Sequence, residues 1–317
     1  MEIKDNGLHV IFGTGPLGMA VMRVLFAKNK RIRMVNTKGQ ANVPANVEVC
    51  KGDAYSVESV RELTRGATVV YQCAQPPYTE WEQKFPALQN AILEGTSANG
   101  AKLVLAENLY GYGEVTGKIH ENLPYNAVTK KGRIRARMSL SALEAHKTGK
   151  IRLVIGRGSD FFGPQVLNST LGERAIYPAL EGKTAKLFGR LDIPHTYTYI
   201  DDFGSALVIL GESEDALGQV WHVPNDSPEI TQRELMNMFF EEIGKPPKMS
   251  GMGKFMMRIG GLFIPEARES VEMMYEFQKP FIVDSSKFEN KFHVKATPIR
   301  EAVKRTIEWL KANPKKK

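Results

Sequence analysis

Apolar and polar positions fall into blocks along the first half of the chain. "LHVIF" (Leu8–Phe12), "RIRMVN" (Arg31–Asn36), "NVEVCKGD" (Asn46–Asp53), "TVVYQCA" (Thr68–Ala74), "AKLVLAEN" (Ala101–Asn108) and "IRLVIGRG" (Ile151–Gly158) are short apolar runs with strand composition. Between them the period lengthens. "PLGMAVMRVLFAKN" sets Leu17, Val21, Val24 and Leu25 at helical spacing, and "SVESVRELTRG" opens at Ser56 and stops at Gly66. Further helices are predicted over about Glu82–Gly95 and about Arg135–Lys147. Apolar strands alternating with helices predict an α/β chain with a parallel sheet covered on both faces.

The second half changes character. Strand signals become sparse. "TQRELMNMFFEEIG" carries a Thr231-x-x-Glu234 capping box and a Gly244 stop, and so predicts a helix. The Met-rich stretch "SGMGKFMMRIGGLFI" reads as adaptable core or subunit packing, consistent with a homodimer, rather than as a ligand box. "TPIREAVKRTIEWLKAN" predicts a last helix with Thr297 as N-cap, Pro298 at its first position, and Ile299, Val303, Ile307 and Leu310 on one face.

Bulk properties narrow the class. The 317 residues are 42% hydrophobic and 25% charged, an ordinary globular balance. Of the net charge of +8, four lysines lie in the last seven residues, so the body is only mildly basic and nucleic acid is not an expected partner. Cys50 and Cys73 lie in apolar runs without metal-ligand spacing, as reduced thiols of a cytoplasmic protein would. No apolar run approaches the roughly 20 residues that span a bilayer, so no membrane partner is expected. Histidines are scattered, and no metal site is expected.

Chemistry concentrates at "FGTGPLG". Gly13, Gly15 and Gly18 form G-x-G-x-x-G directly between a strand and a helix, the context a dinucleotide-binding turn requires. Gly13 permits the turn, Gly15 lets a pyrophosphate approach, and Gly18 lets helix and strand pack closely, with Thr14, Pro16 and Leu17 between them. The end of the second strand, where an NAD site holds a carboxylate for the ribose, reads Asn36-Thr37-Lys38. Lys38 can meet a 2′-phosphate, so NADP(H) is favoured over NAD(H). Asp53 and Ala54 after the third strand, and Cys73, Ala74 and Gln75 after the fourth, complete the predicted cofactor edge.

"GTGPLG", "GDA" near residue 53, "YQCAQP", "GRGSDFFGP" and "YIDDFGSAL" together resemble the extended short-chain dehydrogenase/reductase superfamily, in its NAD-dependent epimerase/dehydratase branch. The resemblance implies a Rossmann doubly wound parallel sheet over residues 1–163 and about 199–225. It also implies a smaller, mostly helical substrate domain over about 164–198 and 226–317. That superfamily normally uses a Ser or Thr after the fifth strand and a Tyr-x-x-x-Lys on the next helix. Aligning Tyr112-Gly113 with its Tyr-Gly stretch puts Asn108 at the Ser position, Lys131 at the Tyr and Arg135 at the Lys. The chain thus resembles atypical members that lack the tyrosine.

The candidate catalytic residues are then Lys131, Tyr112, Asn108, Arg135 and Tyr110. Lys131 would donate a proton if its pKa were depressed, and Arg135 would hold a ribose or a substrate carboxylate. Tyr78, Arg157, Asp160 and His195 are candidate substrate contacts. Asp201 and Asp202 read as structural. The favoured function is an NADPH-dependent oxidoreductase of a small carbonyl or related substrate. The alternatives are a nucleotide-sugar epimerase or dehydratase using NAD, and a non-catalytic NADP-sensing protein.

Overall fold

The computed structural model describes residues 7–260 and 262–314; Lys315–Lys317 of the basic tail lie outside them. In chain order the elements are β1 (Leu8–Phe12), α1 (Pro16–Ala27), β2 (Arg31–Asn36), β3 (Glu48–Lys51), α2 (Val57–Leu63), β4 (Ala67–Gln72), α3 (Trp81–Ser97), β5 (Lys102–Glu107), β6 (Lys118–Ile119), α4 (Lys130–Lys147), β7 (Arg152–Arg157) and β8 (Asp160–Phe162). They continue with α5 (Tyr177–Leu180), β9 (Ala185–Phe188), β10 (Tyr197–Tyr199), α6 (Ile200–Glu212), β11 (Val220–His222), α7 (Gln232–Ile243), β12 (Met249–Met252), α8 (Lys254–Gly260), α9 (Pro265–Ser270), β13 (Ile282–Val283), α10 (Ser286–Phe292) and α11 (Ile299–Ala312).

These elements form two compact units. The first comprises the described residues up to Glu107, Arg133–Arg157 and Phe203–Trp221. Its core is a seven-stranded sheet of order β11-β7-β5-β4-β1-β2-β3, with β2–β3, β1–β2, β1–β4, β4–β5 and β5–β7 all paired in parallel. This is an α/β Rossmann fold. Every residue of β1 is buried, which is why its sequence is an unbroken apolar run rather than an alternating one. The strand order reverses beside β1, and ligands of such sheets bind at that reversal, beyond the carboxyl ends of the strands.

The second unit comprises Asn108–Gly132, Gly158–Asp202 and the described residues from His222 onward. Three small parallel pairs, β10–β8, β12–β9 and β13–β6, accompany its helices. Phe239 and Phe240 of α7 and Val303 and Ile307 of α11 pack into its main core with Tyr197 and Phe162.

Four sequence expectations change. Residues 108–132 join the second unit, because Leu109, Tyr112 and Ile119 pack with Phe281 and Val283. Helix α4 starts at Lys130, not Arg135. Thr129 Oγ1 accepts the Gly132 N–H, and the distant Glu272 carboxylate accepts those of Lys130 and Lys131. At α11 the N-cap is Pro298. Thr297 instead bonds Asp202 through its N–H (2.8 Å) and hydroxyl (2.7 Å), and Asp226 accepts the Ile299 N–H. The Met-rich stretch is core only in part: on α8 Met257 is buried and Met252 packs against its cluster, while Phe255, Met256 and Ile259 face outward.

Candidate functional site

In the first unit the turn from β1 to α1 is built by its glycines. Gly13 sits at φ +108°, a conformation that disfavours a side chain, and its N–H donates to Val35 O at 2.9 Å. A Cβ there would stand 2.9 Å from the Ala74 nitrogen, and one on Gly18 would collide with the Gly13 carbonyl oxygen. At Gly15 the space is open, with nothing within 4 Å of a Cβ position. Gly15 is also the N-cap of α1, whose first turn has no side-chain cap and no acidic residue. The helix therefore presents its terminal N–H groups and positive dipole end at an open glycine, which fits the pyrophosphate of a dinucleotide.

The loops around this turn hold the other predicted cofactor residues. Asn36, expected to bond the cofactor, builds its own loop instead. Its Nδ2 donates to Thr14 Oγ1 and Gln40 O, both at 2.9 Å, and its Oδ1 accepts the N–H groups of Lys38 and Gly39. Thr37 and Lys38 are exposed on that loop, which carries no carboxylate. Asp53 is exposed before Ala54 and accepts the Tyr55 N–H at 2.9 Å, while Ser56 caps α2. Cys73 follows β4, half-buried with its N–H on Phe12 O, and desolvation of the thiol pushes it up to about 12. Ala74 is half-buried and Gln75 exposed. Tyr78 packs edge-on against Trp81, with ring centroids 4.9 Å apart.

Two predicted residues enter a buried charge cluster of this unit. Glu107 and Arg157 end β5 and β7 and are register partners. Arg157 Nε and Nη2 each lie 3.0 Å from Glu107 Oε2, and Ser139 Oγ donates to the same oxygen at 2.6 Å. Arg135 Nη2 stands 3.5 Å from Glu107 Oε1, with its guanidinium 4.6 Å above the Phe85 ring. All four polar residues are buried. Arg157 is thus not an open substrate contact, and Arg135 faces a protein carboxylate where a ribose or substrate acid was expected.

The remaining candidates belong to the second unit. Lys131 is only 2% exposed, and its Nζ pairs with Glu269 and, at 3.3 Å, with Glu272. Lys131 thus meets two protein carboxylates where the sequence reading expected a group turned to substrate. Tyr112 is buried with its hydroxyl 2.9 Å from His222 Nε2. His222 Nδ1 faces the Asp284 carbonyl and must donate to it (3.0 Å), so Nε2 of a neutral ring accepts from Tyr112. Asn108 Oδ1 accepts the N–H of half-buried Tyr110 at 3.2 Å, a local turn bond.

His195, expected near substrate, is 1% exposed and stacked between Phe277 and Phe281. Its Nδ1 meets the Glu276 carbonyl at 3.0 Å and its Nε2 meets Asp160 Oδ2 at 2.9 Å. Burial, reinforced by the Asp160 charge, holds the Glu276 carboxyl well above the usual carboxylate range.

Sequence reasoning missed Glu107, Ser139, His222, Glu269, Glu272 and Glu276. A lone carboxylate closing the apolar run "AKLVLAE" was a legible signal for Glu107, and Ser139 follows Arg135 by one helical turn. The others come from segments without a motif. Among the described residues no group of three His, Cys, Asp or Glu side chains is placed to hold a metal ion, and no helix is long and apolar enough to cross a membrane.

Residues 10–223 match the family model of the NAD dependent epimerase/dehydratase family. The chain belongs to this family. No curated protein matches it in sequence. Among solved structures, dTDP-glucose 4,6-dehydratase from Bacillus anthracis, in complex with NAD, has a TM-score of 0.78 at 17% identity over 97% of both chains. UDP-glucuronic acid 4-epimerase from Bacillus cereus, also with NAD, gives 0.78 at 17% identity over 97% of this chain and all of the other (100%). UDP-N-acetylglucosamine 4-epimerase from Methanobrevibacter ruminantium gives 0.78 at 15% identity over 96% and 98%. At such identity the likeness concerns the fold.

Proposed function

We propose that this chain binds a nicotinamide dinucleotide at the Gly13–Gly18 turn and uses it as an oxidoreductase at an alcohol or carbonyl carbon. One observation carries the reading: Gly13 and Gly18 admit no side chain, while Gly15 opens onto an uncapped helix N-terminus. The bound nicotinamide would supply or accept the hydride; the chain's part is to seat the pyrophosphate and ribose. The names of the solved relatives support NAD as cofactor and a nucleotide-sugar as the first substrate class to test. NADPH-dependent reduction of a small carbonyl compound is the second reading, favoured by exposed Lys38 on a loop without a carboxylate.

The test is calorimetric titration with NAD+, NADH, NADP+ and NADPH, for the wild type and Gly15→Ala. The added methyl enters open space, so the fold should survive, while dinucleotide affinity drops about tenfold or more, ~1.4 kcal/mol. Protein that binds none of the four dinucleotides would end the proposal. A tighter constant for the phosphorylated pair favours the second reading. Incubation with dTDP-glucose or UDP-glucuronic acid, followed by chromatography for altered sugars, then separates an enzyme from a sensor that binds without turnover.

A further inference from the structure

Six of the large hydrophobic side chains that stand exposed lie within one short stretch of the second unit. They are Phe255, Met256 and Ile259 on α8, and Leu262, Phe263 and Ile264 beyond it. Leu262 is 78% and Phe263 82% exposed, values that solvent alone does not favour for side chains of this size. The stretch is anchored. Met257 and Ala267 are buried with Met274 against Phe188, Met252 and Val271, so one side holds the body of the unit while the other is presented outward.

Charge selects what covers it. Lys254, Arg258 and Arg268 are exposed along the same stretch. Among the described side chains nearby, the acids Glu269 and Glu272 are turned to Lys131. Among the described side chains the outward surface is therefore apolar with a basic rim. A second copy related by a twofold axis would set these cations against their own images, which opposes self-association through this patch. An anionic lipid surface complements both properties, taking the Phe, Leu and Ile side chains at the acyl boundary and the cations at the headgroups. We propose that the exposed side chains of Phe255, Met256, Ile259, Leu262, Phe263 and Ile264 form a peripheral docking surface for an anionic phospholipid bilayer. This is attachment without spanning, and it changes the expectation of no membrane partner.

Vesicle sedimentation tests it with the full chain and vesicles of phosphatidylcholine, with or without phosphatidylglycerol. The wild type should bind the anionic vesicles at least about tenfold more strongly and lose that preference in high salt, each cation contributing about fivefold. Leu262→Ser/Phe263→Ser and Lys254→Glu/Arg258→Glu should each cut binding at least about tenfold while leaving the melting temperature and dinucleotide affinity unchanged. Absence of wild-type binding to anionic vesicles overturns the proposal, as does binding that neither variant weakens. A concentration-dependent dimer in analytical ultracentrifugation that the serine variant abolishes would assign the patch to a second copy instead.

Discussion

Glu107→Gln isolates the charge of the buried cluster while keeping its shape. In the wild type one carboxylate accepts Arg157 Nε and Ser139 Oγ and stands 3.5 Å from Arg135 Nη2, all shielded from water. Glutamine keeps one acceptor oxygen but turns an NH2 group toward guanidinium donors, and two buried cations lose their counter-charge. Breaking a buried ion pair from one side costs about 3–5 kcal/mol. At roughly 2–4 °C per kcal/mol for chains of this order, the melting temperature should fall by roughly 10 °C. Differential scanning calorimetry, with urea titration as a second probe, measures the loss. Replacing both ends, Glu107→Leu with Arg157→Met, removes one charge of each sign, so that one buried cation, Arg135, rather than two is left without its counter-charge, and part of the loss should be recovered. The reasoning fails if Glu107→Gln melts within ~2 °C of wild type or if the double variant is no better than the single one.

Glu276→Gln should change how stability depends on pH. The native carboxyl is held well above the usual carboxylate range by burial and by Asp160, so the folded state keeps a proton that the unfolded chain releases. Stability is therefore fully present below the unfolded value of about 4.3 and declines as pH rises through the window up to the folded value, by up to ~1.4 kcal/mol per pH unit. The variant should flatten that decline in melts taken between acid and mildly alkaline pH; an unchanged slope would refute it. Cys73, whose thiol is pushed up to about 12, should resist iodoacetamide at mildly alkaline pH in the native protein and react on unfolding. Rapid native labelling at Cys73, read by mass spectrometry, would contradict the raised thiol.

Legibility in the sequence followed locality. The strands of the first unit were readable because a sheet buried on both faces imposes runs such as "LHVIF". The glycine turn was readable because its constraints fall within six residues. Strand β11 escaped notice because three residues, Val220–His222, are too few to show a period. The start of α4 escaped because its amides are accepted by Glu272, 141–142 residues away. The candidate site divides in the same way. Its glycine turn was predicted from local sequence. The partners that occupy Lys131, Arg135, Tyr112 and Arg157 lie on elements that only the fold brings together. The Met-rich stretch was legible only as apolar for a related reason: apolar composition reports affinity for an apolar phase, not which phase covers it.

The ion pairs of Lys131 and Arg135 also bear on how this sequence can evolve. Lys131→Tyr alone would leave Glu269 and Glu272 with no ammonium between them, and Arg135→Lys alone would give up the guanidinium contacts with Glu107 and Phe85. Each single step toward the Tyr-x-x-x-Lys arrangement loses stability before the second residue is in place. The pairs act as a ratchet: each opposes a single substitution at its own position, and only several changes made together would release them.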